Sequence, residues 1–179
     1  MKSMRALAIA SLFIVAAGSL SAETIEYPKE DPLFTVEVPE DWQVHAEDDG
    51  ALTVQTSDVS VVAVFDSRVK GVKNAATAKE AVAAQKKATA GTTGFTDFRE
   101  IRPIQEMKLS PTISGFGAQY HAKFPTGEPC IYMIVVFTPD GEKYCTMEMS
   151  IKARALTGAA EKEWQGLLDS ITPTEKSDE

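Results

Sequence analysis

Two histidines are the first side chains to weigh for chemistry, because imidazole is the usual base beside a Ser or Cys nucleophile. His45 and His121 each lie in a strand-like segment, with polar neighbours at even spacing: Gln43 for His45, and Gln119 and Lys123 for His121. The chain contains no Gly-x-Ser-x-Gly nucleophile motif. We therefore predict surface or structural roles for both histidines and assign no catalytic residue.

An acidic run could supply metal ligands, since Glu47, Asp48 and Asp49 closely follow His45. A metal site needs several ligands that converge with defined geometry. The run ends at Gly50, however, and Asp followed by Gly is typical of a hairpin turn. The chain also lacks an EF-hand loop, a paired-cysteine motif, a glycine-rich phosphate loop and a dinucleotide fingerprint. The sequence therefore predicts no metal site and no cofactor.

Two carboxylates, Glu106 and Glu148, fall in separate strand-like segments and would form a glycosidase pair only if they faced each other. Such a pair needs a separation of about 5–9 Å, which the sequence does not establish. We expect both side chains on solvated strand faces, where acidic residues are most often found.

Soft ligands for Cu(I) are concentrated near the C-terminal hairpin, where Met133, Met147 and Met149 accompany Cys130 and Cys145. The methionines alternate with polar residues, which is the pattern of a half-buried strand. Methionine is also a common filler of protein cores. The pattern therefore favours core packing over copper binding.

The two cysteines flank a turn signal at residues 138–142. A turn centred on residues 140 and 141 places Cys145 opposite Val136 and Cys130 opposite Ile151. The two sulfurs would then lie about 20 Å apart along the strands. A disulfide needs Cα atoms within about 7 Å, so we predict no intrachain bridge; buried free thiols are the favoured state.

The N-terminus has the three-part layout of a signal peptide. Residues 1–5 are basic, residues 6–17 are apolar, and residues 18–22 are small with Ala22 last. We predict cleavage before Glu23, with an uncleaved anchor as the alternative, and no cysteine lies near the cut to carry a lipid. The predicted organisation is a signal peptide at 1–22, a single globular domain at 23–173 and a disordered acidic tail at 174–179. The protein would then be periplasmic or extracellular.

The charge of the chain narrows the range of partners. Loss of the leader lowers the count of Lys and Arg from 18 to 16 against 26 Asp and Glu, so the net charge becomes −10. An acidic surface repels phosphate backbones and anionic lipid headgroups. Nucleic acid and membrane surfaces are therefore disfavoured, and no later segment is long and apolar enough to span a membrane.

The hydrophobic pattern predicts strands with period-two alternation and two helices. Residues 23–32 are expected to be a loosely held lead-in, and the run 59–65 to be a central strand covered on both faces. Strands joined by short turns are expected to be antiparallel neighbours, including 33–38 and 42–46. Gly115 and Gly117 indicate a bulge or a close backbone approach. The predicted strands are 33–38, 42–46, 51–56, 59–65, 104–109, 113–124, 130–137 and 143–153.

The first helix is predicted to start at residues 74–77, with a capping box at 77–80, and to stop at Gly91. Its apolar stripe comprises Ala78, Ala81, Val82 and Ala88, and the following connection is expected to be pinned by Phe95, Phe98 and Ile101. The second helix is predicted from the spacing of Ala160, Trp164, Leu167, Leu168 and Ile171, with Pro173 at its end. Two one-sided helices with antiparallel strands indicate an α+β domain, with a sheet of about six to seven strands between helices.

The opening run 34–42, with its Pro-x-x-Trp turn from Pro39 to Trp42, resembles the PsbP-like superfamily, which includes exported bacterial DcrB-like domains. The closing stretch 168–171, Leu-Asp-Ser-Ile, also fits that resemblance. The resemblance implies an antiparallel sheet with helices on both faces and a non-enzymatic accessory, assembly or chaperone-like role. The chain departs from DcrB-like members in lacking a lipid-anchor cysteine, and the resemblance assigns no functional residue in this chain.

The function predicted from the sequence is therefore that of an exported, non-enzymatic binding protein. Its partner would be another envelope protein or a peptide, bound at a sheet edge or in a loop-lined groove. The alternative is a module that binds a small molecule or a metal ion in a pocket between sheet and helix. A hydrolase centred on a histidine is less favoured.

Overall fold

The computed structural model describes residues 22–47, 50–68, 72–92, 94–156 and 158–174. Nearly all of the predicted leader, residues 175–179 of the predicted tail and the turn residues 48 and 49 lie outside the described residues. The elements in chain order are β1 (Ala22–Tyr27), β2 (Phe34–Pro39), β3 (Trp42–Ala46), β4 (Leu52–Thr56), β5 (Val61–Asp66), α1 (Ala75–Thr92), β6 (Thr96–Lys108), β7 (Ser114–Lys123), β8 (Pro129–Phe137), β9 (Cys145–Lys152), α2 (Gly158–Asp169) and β10 (Thr172–Pro173).

Two antiparallel sheets form the centre of the fold. The larger has the order β3-β4-β5-β9-β8-β7-β6, and the smaller has the order β1-β2-β10. Helix α1 packs on one face of the larger sheet, while the smaller sheet and α2 cover the other face. The predicted α+β class, with an antiparallel sheet of about six to seven strands between helices, is confirmed.

The position of β2 differs from the prediction. The short turn at residues 40 and 41 carries the chain from the smaller sheet into the larger one, so β2 and β3 are not paired neighbours. Instead β2 pairs with β1 on one side and with β10 on the other. The smaller sheet exists because the apolar faces of both sheets pack together in one core.

The predicted loose lead-in is wrong, because its first half is strand β1. Ile25 pairs with Val36 and Tyr27 pairs with Phe34, and both β1 side chains turn toward the core between the sheets. The alternating residues, such as Glu26, face solvent. Two apolar side chains at even spacing are enough to bind this short strand to β2.

Aromatic rings join the smaller sheet to the larger one. The ring of Phe34 is completely buried and lies 5.5 Å from that of Tyr27, 5.5 Å from that of Phe65 and 5.6 Å from that of Phe137, measured between centroids. Tilted and edge-on pairs of this kind contribute about 0.5–1.5 kcal/mol each beyond the burial of their area. Phe34 therefore fixes the distance between the two sheets.

The N-terminus of α1 is capped three residues earlier than predicted. The Asn74 side-chain oxygen accepts the N–H groups of Ala76 and Thr77 at 3.1 Å each, and the Thr77 hydroxyl accepts the N–H of Asn74 at 3.1 Å. Asn74 is therefore the N-cap residue of the capping box, and Thr77 is the residue that bonds back to it. Asparagine is as favourable at the N-cap as threonine.

The apolar stripe of α1 is confirmed at Ala78 and Val82, which are fully buried, and at Ala81, which packs against the same core. Ala88 is exposed, contrary to the prediction, and Thr89 is buried in its place. The last two turns of α1 lie over the carboxylate of Glu148. The side chains that face the sheet there, Gln85 and Thr89, are therefore polar and donate hydrogen bonds to it.

The predicted central strand begins two residues late, at Val61, because Val59 adopts a left-handed backbone (φ 54°) in the preceding turn. Its residues on one face are fully buried, but Val62 and Val64 on the other are only half-buried. Within the described residues, helix α1 packs mainly on β6, β7 and β8, so this face of β5 is only partly covered. The prediction of coverage on both faces is therefore wrong.

Strand β6 begins at Thr96, well before the predicted start at residue 104. Phe95 and Phe98 pack against the core beneath α1 as predicted. Ile101, expected to be a third anchor, is 40% exposed because the pairing of β6 with β7 shifts register in this stretch.

The hairpin of β8 and β9 is displaced by one residue from the predicted register, since Cys145 pairs with Phe137 and Cys130 with Lys152. The side chain of Asp140 accepts the N–H groups of residues 142 and 143, and Gly141 adopts φ 79°, so the turn centres on Gly141. Cys145 lies in the core between the sheets and Cys130 in the core beneath α1. Both are free thiols in the structure.

The second helix ends at Asp169 rather than at Pro173. The Ser170 hydroxyl donates to the carbonyl of Leu167 at 2.7 Å and accepts the N–H of Glu37 at 3.0 Å, which turns the chain toward β2. Residues 172 and 173 then form the short strand β10. Among the described residues, no helix combines the length and apolar composition needed to cross a membrane.

Candidate functional site

The two histidines do not form a joint site. His45 lies on β3 and His121 on β7, five strand positions apart, which corresponds to about 24 Å. Both are exposed, and they project from opposite faces of the sheet. Neither has a nucleophile hydrogen-bonded to it within the described part of the chain.

The two glutamates are also too far apart for glycoside hydrolysis. Glu106 on β6 and Glu148 on β9 are separated by β7 and β8, a distance of about 14 Å across the sheet. A glycosidase pair needs about 5–9 Å. Glu106 is exposed, as predicted, but Glu148 lies partly buried beneath α1.

Glu148 anchors α1 to the sheet. Its carboxylate accepts hydrogen bonds from Gln85, from the Tyr132 hydroxyl and, at 2.6 Å, from the Thr89 hydroxyl. Burial raises the pKa of Tyr132, and the neighbouring carboxylate raises it further, so this hydroxyl stays protonated and donates. Both carboxylate oxygens are occupied by the fold, which indicates a structural role.

The soft side chains are packed in the cores. Met133, Met147, Met149 and Cys145 lie in the core between the sheets, and Cys130 lies in the other core. Burial raises the pKa of Cys130 to about 11 and that of Cys145 to about 12, so both thiols are protonated at neutral pH. Within the described ranges, no three His, Cys, Asp or Glu side chains are grouped so that they could hold a metal ion.

A cavity of about 510 Å³ lies between β1 and the hairpin of β3 and β4, and we call it the edge groove. Its floor is apolar, with Tyr27, Ala51 and Leu52 buried and Ile25 and Val44 half-buried. Its rim carries Glu26 of β1 and two charged residues of the segment that follows β1, Lys29 and Glu30. The groove is lined by Ile25, Glu26, Tyr27, Pro28, Lys29, Glu30, Val44, Ala46, Gly50, Ala51 and Leu52.

The two strands that flank the edge groove are each the outermost strand of a sheet, within the residues described. The N–H of Glu47 donates to the carbonyl of Ala51 at 2.8 Å, and bonded pairs alternate along an antiparallel ladder. His45 is therefore bonded to β4, whereas the N–H and C=O groups of Val44 and Ala46 point away from β4. Among the described residues, strand β3 thus presents backbone groups without a partner beside an apolar floor.

Strand β1, as far as the described part of the chain shows, presents unpaired backbone groups in the same way. The N–H of Glu37 donates to Ser170 on the side away from β1, so the Thr24–Glu37 pair exchanges no bonds between β1 and β2. By the same alternation, the N–H and C=O groups of Thr24 and Glu26 point outward.

The opposite edge of the larger sheet is protected against pairing. Strand β6 contains Pro103 and three register shifts against β7, and it carries charged side chains along its length. Proline, bulges and charges are the usual devices that keep an edge strand from accepting another chain. Strand β3 has none of them among its five residues, so the edge groove is the side of the sheet open to a partner.

Tyr27 holds the floor of the edge groove together. Its hydroxyl is placed to donate to two carbonyls, that of Gly50 at 2.8 Å and that of Phe65 at 3.1 Å. The same hydroxyl accepts the N–H of Ser67 at 3.2 Å. Burial raises the pKa of this phenol. One hydroxyl therefore joins β1 to both ends of the β4–β5 hairpin.

We expect the Tyr27→Phe substitution to lower the free energy of unfolding by about 1–3 kcal/mol, because it leaves buried backbone groups without a partner. Urea denaturation of the purified protein measures the change. Tyr144→Phe is the matched control, since no hydrogen bond of the Tyr144 hydroxyl occurs in the described structure; it should change stability by less than about 0.5 kcal/mol. Equal effects of the two substitutions would contradict this role.

The edge groove was not expected from the sequence, because residues 23–32 were predicted to be a loosely held lead-in. The signal was present, since Ile25 and Tyr27 alternate with Thr24 and Glu26. The run was too short, and too close to the predicted cleavage site, to be recognised as a strand.

No protein-family model matches the sequence, and no curated protein matches it. Solved structures do match. The chain is similar to the solution structure of cyanobacterial PsbP from Synechocystis sp., with a TM-score of 0.56, 9% sequence identity and coverage of 89% of this chain and 96% of that chain. It is also similar to the crystal structure of the Ran-binding protein Mog1p of Saccharomyces cerevisiae, with a TM-score of 0.49, 12% identity and coverage of 86% and 95%.

The fold is thus that of an antiparallel α+β domain with helices on both faces of the sheet. Across most of the chain, its likeness to cyanobacterial PsbP identifies it as a PsbP-like fold, in agreement with the resemblance seen in the sequence.

Proposed function

We propose that this protein is an exported, non-enzymatic accessory protein that binds an extended segment of another envelope protein or a peptide in the edge groove. The observation that carries the proposal is the free edge of β3, where the outward backbone groups of Val44 and Ala46 lie beside an apolar floor. The PsbP-like fold agrees with the accessory role that the sequence resemblance implies.

The bound segment would add a strand to the free edge of β3, and this mode of binding accounts for both the affinity and the selectivity of the groove for its partner. A segment lying along β3 would exchange main-chain hydrogen bonds with Val44 and Ala46, and its alternate side chains would reach the floor near Leu52. The charged rim, with Glu26, Glu30 and Lys29, would favour segments of complementary charge. This mode needs no catalytic residue, metal or cofactor.

Export follows from the predicted signal peptide. Cleavage before Glu23 would remove Ala22 and leave five of the six residues of β1 in place. The mature protein would then act in the periplasm or outside the cell. Its acidic surface would disfavour nucleic acid as a partner.

The alternative, a small-molecule site in the same groove, is supported by the cavity volume of about 510 Å³, which falls in the range of ligand pockets. The two functions differ in what they need from β3. A protein segment would form hydrogen bonds with the backbone edge of β3, whereas a small molecule would only fill the cavity.

Site-specific photo-crosslinking tests the proposal. A photo-reactive amino acid is placed at Ala46, on the groove, or at Glu106, on the protected edge β6, in the full chain expressed in its native host. We expect one dominant protein adduct from position 46 that is absent from position 106. Identical adducts from both positions, or none from position 46, would contradict the proposal.

A further inference from the structure

A second cleft, of about 330 Å³, lies between α2 and the part of the larger sheet formed by β6 to β9, and we call it the α2 cleft. It shares no lining residue with the edge groove. Its lining consists of Ile101, Arg102, Gln119, His121, Ile131, Met133, Met149, Ile151, Leu156, Glu161 and Trp164.

Apolar side chains line the α2 cleft, and two of them are exposed at its rim. Met133, Met149 and Ile151 form a buried floor, while Ile101 is 40% exposed and Leu156 is 42% exposed at the rim. Among the described residues only Val59 is another large hydrophobic side chain with comparable exposure. Exposed apolar side chains gathered around one concave site indicate a binding surface rather than scattered surface residues.

The polar groups of the cleft are mostly hydrogen-bond donors. The indole N–H of Trp164 is buried, and no group in the described part of the chain accepts a hydrogen bond from it. The amide N–H of Gln119 donates to the thioether of Met133 at 3.6 Å, which is a weak acceptor, and no stronger acceptor for it is found among the described residues. Arg102 and His121 add two further donors at the sheet side of the cleft.

The positive charge at this cleft is not neutralised by ion pairs. Nearby Lys123 pairs with Asp97 at 2.7 Å, and Lys152 and Arg154 pair with Glu128. Arg102, by contrast, makes no ion pair within the described residues. Its guanidinium therefore remains available to an anionic ligand beside the apolar cleft.

We propose that the α2 cleft binds a small aliphatic carboxylate. The hydrocarbon chain would cover Ile101, Leu156 and the floor, and the carboxylate would accept hydrogen bonds from Arg102 and His121. Glu161, the one acidic residue of the lining, belongs to α2, so charge complementarity directs the carboxylate toward β6 and β7. This site is independent of the proposed protein partner.

Calorimetric titration of the purified protein with decanoate, below its micelle-forming concentration, tests the site. We expect saturable binding with a stoichiometry of one, and at least about tenfold weaker binding of decanol, which keeps the chain but lacks the charge. Absence of binding, or equal binding of decanol, would overturn the proposal.

Three variants locate the site. Arg102→Gln should weaken decanoate binding at least about tenfold, and Leu156→Asp should abolish it; both positions are exposed, so the fold is retained. Lys108→Gln removes the same charge from the same strand outside the cleft, and it should change affinity less than about twofold. Equal effects of Arg102→Gln and Lys108→Gln would show non-specific attraction and refute the assigned site.

Discussion

Ala46→Pro is expected to abolish capture of the protein partner, with a loss of affinity of at least about a hundredfold, or about 2.7 kcal/mol. Proline removes the N–H group that β3 presents to the edge groove, and its ring occupies the path of an added strand. The fold should survive, because this N–H points away from β4 and proline is tolerated on such an edge. Affinity is measured with the purified partner that photo-crosslinking identifies.

Ala46→Ser is the matched control, since it changes the side chain at the same position and keeps the backbone N–H. It should retain capture within about threefold, and urea denaturation should show both variants folded. Full capture by the Ala46→Pro variant would rule out strand addition at β3. It would instead favour a ligand that uses only the volume of the groove.

Gly115→Ala is expected to lower the free energy of unfolding by about 3 kcal/mol. An added Cβ atom would lie 2.5 Å from the carbonyl oxygen of Val136 and 2.8 Å from the Cβ of Phe137, both on the neighbouring strand β8. These atoms belong to the interior of the larger sheet and cannot move without displacing the ladder of β7 and β8. Urea denaturation measures the change.

Gly91→Ala provides the opposite case for the same chemical change. Gly91 lies in α1, and nothing lies within 4 Å of an added Cβ atom. Alanine is the better helix former, so the substitution should stabilise the protein by up to about 1 kcal/mol. If Gly115→Ala were as well tolerated as Gly91→Ala, the close approach of β7 and β8 would be disproved.

Local patterns in the sequence were sufficient to predict much of the fold. The alternation of Met147 and Met149 with polar residues correctly predicted core packing, and both side chains lie in the core between the sheets. The two glycines of β7 correctly predicted a close backbone approach; an added Cβ on Gly117 would lie 2.8 Å from the carbonyl oxygen of Ile134. These features depend on neighbours in one strand or one hairpin, which periodicity reports directly.

Features that depend on distant parts of the chain could not be predicted. The turn at residues 40 and 41 gives no local sign that it joins two sheets, and the partner of β2 is β10, more than 130 residues later. Glu148 was expected on a solvated face. Its burial has no local signal, because only tertiary packing brings Gln85 and Thr89 above it. The edge groove also depends on distant contacts: even with β1 recognised as a strand, the groove forms only where the edges of two sheets meet.

Amide hydrogen exchange of β3, measured residue by residue in the free protein and in the complex with the captured partner, tests the central claim most directly. In the free protein, the amides of Val44 and Ala46 should exchange quickly, whereas those of Gln43 and His45 should be protected by β4. Partner binding should slow exchange at Val44 and Ala46 by at least about tenfold and leave Gln43 and His45 nearly unchanged. Unchanged exchange at Val44 and Ala46 in the complex would contradict binding by strand addition in the edge groove.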